Sequence, residues 1–337
     1  MKISIETASR APISAVAIAL LLSFAGCADG KSTAALSPTI DTLPGGAVRV
    51  VNHGPSEWSG TDGWQLELEL VIASADSGPA MLSSRRHLVV APGGEIVVLD
   101  RRPAVLRVFS ADGGFLRTIG REGSGPGEYL DFGELTIVGD TLVVNDRQNS
   151  RLVLFNIDGT HLRTFPAERT GMWPVATSDG RIQLDTYLAR RQSTPQDAYP
   201  GSGVRRMRTD GVVTDSFFYP AQPEGMIWRL RDEKNDLGAF VPFAPEREKT
   251  LDRLGNLIYG DQSAYRLIVS SKGSDTLRII EAPVTLVTIS DSVRQAELDD
   301  VLGYAEWAAG IARLEDIPVV YPAWTDLRVD AGGNIWV

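Results

Sequence analysis

Cysteine is almost absent from this sequence, and the single one, Cys27, stands near the N-terminus. One cysteine cannot form a disulfide within the chain, so packing and hydrogen bonds alone must hold the fold. Histidine is also scarce, and the spacing of His53, His87 and His161 is not that of a metal site. These two shortages exclude a disulfide-stapled domain and leave no histidine-based zinc motif.

Positive charge is in deficit, with 33 Lys and Arg against 43 Asp and Glu and a net charge of -10. Nucleic-acid binding needs clustered basic residues that neutralise phosphates, so we expect no nucleic-acid partner. The glycine-rich run 120–127 lacks the lysine and hydroxyl residue of a phosphate-binding loop, and we interpret it as a connection between structural units. No Gly-x-Ser-x-Gly sequence occurs, so nothing supports a serine nucleophile.

The N-terminus has the layout of a secretory signal. The basic residues Lys2 and Arg10 precede the apolar run 11–24, and the small residues Ala25-Gly26 stand directly before Cys27. Such a run is shorter than a comfortable membrane span, whereas its length and charge pattern are typical of a signal peptide. We therefore predict export.

The segment 22–27 resembles a bacterial lipobox, although Phe24 stands where leucine is usual. The resemblance implies that Cys27 is lipidated and becomes the new N-terminus; the alternative is a plain signal peptide with an incidental cysteine. Ala28, in place of aspartate, implies delivery to the outer membrane. We predict a signal peptide at 1–26, a flexible tether at 27–45 and a domain at 46–337, lipid-anchored in the bacterial cell envelope and facing the periplasm or the cell surface.

The chain repeats itself with a long period. Residues 87–119 form the clearest copy, and a second follows at an offset of 46 (146 − 100), which pairs Asp146 with Asp100 and Phe155 with Phe109. Three more divergent copies follow, over residues 180–218, 255–280 and 327–337. A fixed period of this size indicates stacked supersecondary units.

Each copy consists of short runs rich in β-branched residues with turn signals between them. Pro-Gly-Gly at 92–94 and Asp-Gly at 112–113 and 158–159 are typical of turns between antiparallel strands. A four-stranded unit of this size cannot bury both of its faces, so we expect the units to stack radially about an axis. The sequence thus predicts an all-β fold, a β-propeller of four-stranded antiparallel blades.

Residues 142–155 resemble the NHL repeat, as does the linker 119–129. Together with the lipobox, these repeats resemble those of the bacterial six-bladed β-propeller lipoproteins, over residues 86–165 and more weakly to 281. The resemblance implies six blades, which are five copies and one blade that the early strands 48–51 and 64–72 complete by closing the ring. Because Val337 follows the second strand of a blade, we expect truncated last blades rather than an open ring with unpaired edges.

Two insertions interrupt the repeats. Residues 220–253 carry proline, tryptophan and many charges, and we predict a long loop that caps one face. Residues 290–314 have an apolar stripe at helical spacing behind Ser290 or Ser292, either of which can cap a helix, so we predict a short helical insertion.

The second strand of each complete copy ends in aspartate, and repetition makes the four positions equivalent: Asp100, Asp146, Asp185 and Asp261. One interpretation is a ring of carboxylates near one mouth of the channel, where oxygen ligands would hold a hard cation such as Ca²⁺. The other is that each aspartate accepts backbone N–H bonds in the following turn. We favour the second, since a residue needed in every blade serves the blade, and we predict no cofactor.

The loop after the second strand of the second copy carries Arg147 and Asn149. These residues bind a sugar or an anionic group in one interpretation and are solvated turn residues in the other. Six aromatic residues offer either stacking surfaces for a carbohydrate or core packing between blades: Trp173, Tyr187, Trp228, Tyr304, Trp307 and Trp324.

Two functions remain. The first is a non-catalytic binding or scaffold module, tethered to the membrane by its lipid and presenting propeller loops to a protein or carbohydrate ligand. The second is a metal-dependent propeller hydrolase or lyase of the lactonase kind, with the repeated aspartates as metal ligands. Because the second rests on fold analogy alone, we favour the first and predict no catalytic residue.

Overall fold

The structure, a computed structural model, describes residues 37–54, 67–72, 78–83, 85–130, 132–167, 174–188, 201–220, 227–231, 236–330 and 332–337. Regular structure in these ranges is almost entirely β, with 24 strands and one α-helix. The all-β class predicted from the sequence is confirmed.

The strands group into four-stranded antiparallel blades whose strands lie in chain order. The described chain begins with the hairpin of β1 (Thr39–Thr42) and β2 (Val48–Val51). The first blade contains β3 (Arg85–Val90), β4 (Ile96–Arg101), β5 (Ala104–Phe109) and β6 (Phe115–Ile119). The connection to the next blade contains the short parallel pair β7 (Arg121–Glu122) and β8 (Glu128–Tyr129). The second blade contains β9 (Phe132–Val138), β10 (Thr141–Asp146), β11 (Arg151–Asn156) and β12 (His161–Pro166).

The third and fourth blades follow the same order with a hairpin between them. The third contains β13 (Val175–Ala176), β14 (Arg181–Leu188), β15 (Gly201–Arg208) and β16 (Val213–Phe218). The intervening hairpin is formed by β17 (Ile227–Arg231) and β18 (Asp236–Phe240). The fourth blade contains β19 (Arg247–Leu251), β20 (Leu257–Asp261), β21 (Arg266–Ser270) and β22 (Arg278–Glu281). The helix α1 (Asp291–Tyr304) and the two-stranded sheet of β23 (Arg328–Val329) and β24 (Ile335–Trp336) follow.

The blades share a local irregularity that confirms their equivalence. The pairing of the third and fourth strands shifts register between Val108 and Phe109 in the first blade and between Leu154 and Phe155 in the second. The shift lies beside the turn that joins these two strands, in which Gly113 has a φ of 89°, a conformation that favours glycine. The phenylalanines matched in the sequence therefore occupy the same structural position.

Each blade covers the face of its neighbour. Alternating residues of the first blade, such as Val97 and Leu106, pack against Leu142 and Phe155 of the second in one buried cluster. Similar clusters join the second blade to the third, the third to the fourth, and the fourth to β23 and β24. The innermost strands contact one another in sequence, β3 with β9, β9 with β13 and β19 with β23. This radial stacking is the arrangement of a β-propeller.

The N-terminal strand at 48–51 forms where the sequence predicts it but pairs elsewhere. It lies parallel to β22, on the outer edge of the fourth blade, and the Arg49 guanidinium binds the Glu281 carboxylate at 2.8 Å. Residues 67–72 form no strand; Leu70 and Ile72 pack on the outer face of the first blade. The prediction that these segments complete the last blade is wrong for the described residues, because the free edge of β22 supplies backbone partners for β2.

The two insertions pack against each other. Residues 220–253, predicted as a long loop, contain the β17–β18 hairpin and all of β19. The helical insertion forms as predicted, and Ser290 Oγ caps α1 by accepting from the Val293 N–H at 3.4 Å. Trp228 of the hairpin and Val301 of the helix share one buried core, and Trp228 Nε1 donates to Asp316 Oδ2 at 2.7 Å. Residues far apart in sequence thus build one insertion core, because each insertion alone has only one apolar face.

Candidate functional site

The innermost strands enclose a cavity of about 620 Å³ on the propeller axis. Its wall alternates polar and apolar residues from the first, third and fourth blades and from β23. We call this cavity the channel. The residues that line it are His87, Leu88, Val175, Glu248, Lys249, Thr250, Leu251, Arg253, Asp326, Leu327, Arg328, Val329 and Asp330. A concave site of this size is in the usual range for small-molecule binding.

Strand direction divides the channel into two ends. Second strands run to the face that carries the loops 101–104, 147–150 and 262–265, which we call the upper face, and first strands start from it. Glu248 and Asp326, at the starts of β19 and β23, therefore lie at the upper end. Arg253 and Asp330 follow those strands and lie at the lower end.

Gln262 brings the two acidic residues of the upper end together. Its buried carboxamide accepts from the Glu246 N–H at 3.0 Å and donates to the Thr325 carbonyl at 3.3 Å. These bonds tie the chain before β19 to the chain before β23. Glu248 and Asp326, which follow those two contacts, consequently face the same part of the channel.

Burial and charge tune the titratable groups of the channel wall. Burial raises the pKa of the Glu248 carboxyl, and the nearby carboxylates of Glu246 and Asp326 raise it further. Burial lowers the pKa of the His87 imidazole, so its neutral form is favoured. Asp326 also forms an ion pair with Arg328 at 3.0 Å. The channel thus presents both signs of charge to a ligand.

Three of the four repeated aspartates are held by arginines inside their own blade. Asp100 accepts from Arg107 Nε at 3.0 Å, Asp146 from Arg151 Nε at 2.9 Å, and Asp261 from Arg247 Nε and a terminal nitrogen at 2.7 and 2.8 Å. Asp100 and Asp146 have no exposed surface. None of the three lines the channel, and their carboxylates support the blades.

Backbone N–H groups add to this support. Asp100 accepts from the Ser83 N–H at 3.2 Å and Asp146 from the Leu130 N–H at 3.3 Å, so each aspartate fixes the segment that leads into its own blade. The predicted bonds from backbone N–H groups are present, but these donors precede the first strand of the blade and do not lie in the turn after the second. The arginine partners have no repeated position in the sequence, since Arg107, Arg151 and Arg247 come from different registers or strands. The sequence pattern of one copy therefore did not reveal them.

Asp185 differs from the other three. Its side chain is buried, and within the described residues no arginine or lysine nitrogen lies within ion-pair distance of it. Burial raises the pKa of its carboxyl, whereas the Lys249 charge and the Tyr219 hydroxyl lower it to a smaller extent. Asp185 thus faces the blade that supplies the channel lysine.

The other predicted site residues lie outside the channel. Asn149 Nδ2 donates to Asp146 Oδ2 at 2.7 Å, which makes it a support of the aspartate. Arg147 is exposed in the loop at the upper face. Cys27 lies outside the described residues. In the ranges the structure describes, no three side chains of His, Cys, Asp or Glu gather as a metal site.

Most of the predicted aromatic candidates with described side chains serve packing. Trp228 and Trp307 belong to the insertion core and Trp324 to the core between the fourth blade and β23, whereas Tyr304 is 69% exposed. Trp173 and the Tyr187 side chain are outside the described residues. No repeated sequence signal marks Glu248, Lys249 and Asp326, because the channel is lined by first strands, whereas the repeated aspartates end the second strands.

The sequence has partial matches to known proteins. A family model described as a 6-bladed beta-propeller matches residues 81–170, which hold the first two blades. A search of curated proteins finds no match. No helix in the described part of the chain is long and apolar enough to cross a membrane.

Solved structures of low sequence identity resemble the chain. One is a Bacteroides fragilis protein whose name describes it as exported, at 15% identity and a TM-score of 0.38, over 69% of this chain and 63% of that one. A second is virginiamycin B lyase from Staphylococcus aureus, with 12% sequence identity and a TM-score of 0.36, over 75% of this chain and 72% of that one. A third is glutaminyl cyclase from Myxococcus xanthus, with 13% sequence identity and a TM-score of 0.34, over 74% of this chain and 82% of that one. The chain spans less than two thirds of the Bacteroides fragilis protein. The family model over residues 81–170 and the stacked four-stranded sheets give the fold as a six-bladed β-propeller.

Proposed function

We propose that this chain is an envelope lipoprotein whose propeller binds a small charged ligand in the channel without transforming it. The observation that carries the proposal is the channel wall, in which Glu248 and Lys249 of β19 and Asp326, just before β23, all line a cavity of about 620 Å³. Charged side chains at the axis do not stabilise the blades as apolar residues would, so a ligand accounts for their placement.

The metal-dependent alternative draws on the repeated aspartates. Asp100, Asp146 and Asp261 already bind arginines, and breaking these ion pairs would leave uncompensated charges inside the blades. Binding in the channel requires no such rearrangement. The geometry therefore favours a binding module over a lactonase-like enzyme.

Anchoring in the envelope rests on the lipobox-like segment that ends at Cys27. A lipid at Cys27 and the tether 27–45 would hold the propeller near a membrane surface while leaving its faces accessible. A protein or carbohydrate partner at the loops of the upper face, where Arg147 is exposed, is compatible with this arrangement.

The test compares two leucines of similar exposure. Leu88, 48% exposed, lines the channel, and Leu116, 45% exposed, lies on the outermost strand β6. The purified chain and its Leu88→Trp and Leu116→Trp variants are incubated with small-molecule extracts of the bacterial envelope, and retained compounds are identified by native mass spectrometry. We expect the first variant to lose at least about tenfold in affinity, or about 1.4 kcal/mol, and the second to bind normally. Equal binding by all three proteins, or no retained compound, would overturn the proposal.

A further inference from the structure

Lys249 stands out among the cations of the channel because it is half-buried, whereas Arg253 and Arg328 are exposed. It lies on β19, and within the described residues no carboxylate lies within ion-pair distance of its ammonium group. Arg328, by contrast, is neutralised by Asp326 at 3.0 Å. A half-buried lysine that forms no ion pair loses solvation free energy, and an anion bound at the same place would restore part of it.

The neighbouring blade holds Lys249 in place through an aromatic ring. Its Nζ lies 4.7 Å from the centre of the Tyr219 ring, within the range of a cation–π contact. Tyr219 follows β16 and is fixed there by its backbone N–H, which donates to the Ser202 carbonyl at 3.0 Å. The ammonium is therefore positioned at the channel wall without being neutralised.

Asp185 lies behind this ring. Burial raises the pKa of the Tyr219 hydroxyl, and the adjacent Asp185 carboxylate raises it further. Among the described residues, Lys249 is the cation that lowers the pKa of Asp185. The three groups form a cluster across the third and fourth blades. At the repeat position of Asp185, each of the other three blades has an aspartate bound to an arginine.

We infer that Lys249 is the anchor for an anionic group of the channel ligand, that the Tyr219 ring positions its ammonium, and that the Asp185 carboxylate moderates its charge. The inference rests on the proposed channel function and names its ligand class, a small molecule with a carboxylate, sulfate or phosphate. Tyr219 holds the ammonium by its ring face. Asp185 lowers the positive potential at Lys249 and so limits the affinity for the anion.

The experiment measures the affinity of the purified chain for sulfate and for acetate, by titration at constant ionic strength, with choline as the cationic probe. Lys249→Gln should reduce the affinity for the anions at least about tenfold, which is about 1.4 kcal/mol, and Lys249→Arg should restore most of it. Lys272→Gln is the matched control, because Lys272 is exposed in the turn between β21 and β22 of the same blade. Sulfate and acetate together separate tetrahedral anions from carboxylates.

The positioning residues have their own readouts. Tyr219→Phe keeps the ring and should leave the affinity unchanged, while Tyr219→Leu should weaken anion binding severalfold. Asp185→Asn should strengthen it severalfold, a gain that a merely structural role would not produce. Far-ultraviolet circular dichroism confirms that each variant is folded.

The two proposals fail in different ways. An envelope compound that is cationic, and whose binding is lost in Leu88→Trp, would overturn the anion inference and leave the channel function standing. Unchanged sulfate and acetate affinity in Lys249→Gln, or binding of choline alone, would overturn the inference as well. A compound that binds Leu88→Trp normally would overturn both.

Discussion

Asp146 and Arg151 face each other across neighbouring strands of the second blade, and Arg151 Nε donates to the buried carboxylate at 2.9 Å. The same carboxylate accepts from the Asn149 side chain at 2.7 Å and from the Leu130 N–H at 3.3 Å. One aspartate thereby joins the second strand, the third strand and the chain that leads into the blade. Asp100 has the same role in the first blade, where it accepts from Arg107 of the third strand and from the Ser83 N–H.

Replacing Asp146 by alanine should strongly destabilise the protein, because it leaves the Arg151 charge largely buried and unpaired. We expect a loss of about 3–5 kcal/mol in the free energy of unfolding, measured by urea denaturation. Asp261→Ala is the matched control at the same repeat position; its side chain is 42% exposed, so the expected loss is about 1 kcal/mol. Equal losses in the two variants would contradict the assignment of Asp146 as a buried support.

Gly120 is required by the connection between the first two blades. It has a φ of 69°, and a Cβ there would overlap the buried ring of Tyr129. Gly139 also has a positive φ, 58°, but a Cβ there meets nothing within 4 Å. Gly120→Ala should therefore lower the free energy of unfolding by about 3 kcal/mol or more, and Gly139→Ala by about 1 kcal/mol. Thermal unfolding of the two variants measures the difference. If the two substitutions cost the same, Tyr129 packing is not the constraint.

The contact of Trp228 with Asp316 links the two insertions. Trp228→Ala should remove about 3–5 kcal/mol from the stability of the insertion core, because it deletes a large buried side chain. Trp228→Phe keeps an aromatic ring but removes the Nε1 donor and part of the buried volume, so it should cost less, about 2 kcal/mol. Hydrogen exchange of the α1 amides measures both effects, and undiminished protection in the alanine variant would show that the insertions are independent.

Asp185 and Asp179 should have opposite effects on the pH dependence of stability. The pKa of Asp185 is raised by burial, so its ionisation costs stability as pH rises through the raised value, and Asp185→Asn should be most favourable to stability at neutral pH. Arg181 lowers the pKa of Asp179 to about 2, so this ionised group stabilises the fold above its ordinary pKa and Asp179→Asn should lose stability at neutral pH. Unfolding at pH 7 and pH 4 checks the sign for Asp185, and unfolding at pH 4 and pH 2 checks it for Asp179, whose contribution is lost as the pH falls from its ordinary pKa toward about 2. A stability gain of Asp185→Asn that does not shrink at pH 4 would contradict the assignment.

Cys27 should determine where the protein resides in the cell. We expect the wild-type chain to partition into the detergent phase of a cell-envelope extract and Cys27→Ser to partition into the aqueous phase, since the lipid supplies the membrane affinity. Mass spectrometry of the mature N-terminus is the second measurement. An unmodified Cys27 in the wild-type chain would show that the signal is a plain one.

The amino-acid sequence by itself determined the repeating unit. Strand alternation and Asp-Gly turns are local features, so the hairpins, the blade order and a serine cap of α1 could be predicted from neighbouring residues. The structure decided between the two candidate caps in favour of Ser290. The equivalence of Phe109 and Phe155 was visible in the spacing of the copies and persists in the shared register shift.

Only the tertiary structure decided which residues meet across blades. The partners of the repeated aspartates, the joining of the two insertions through Trp228, and the place of β2 beside β22 depend on contacts between distant segments, for which one sequence holds no local signal. The channel shows this most clearly. No common motif marks the two segments that carry Glu248, Lys249 and Asp326. Radial stacking alone brings these segments to one channel.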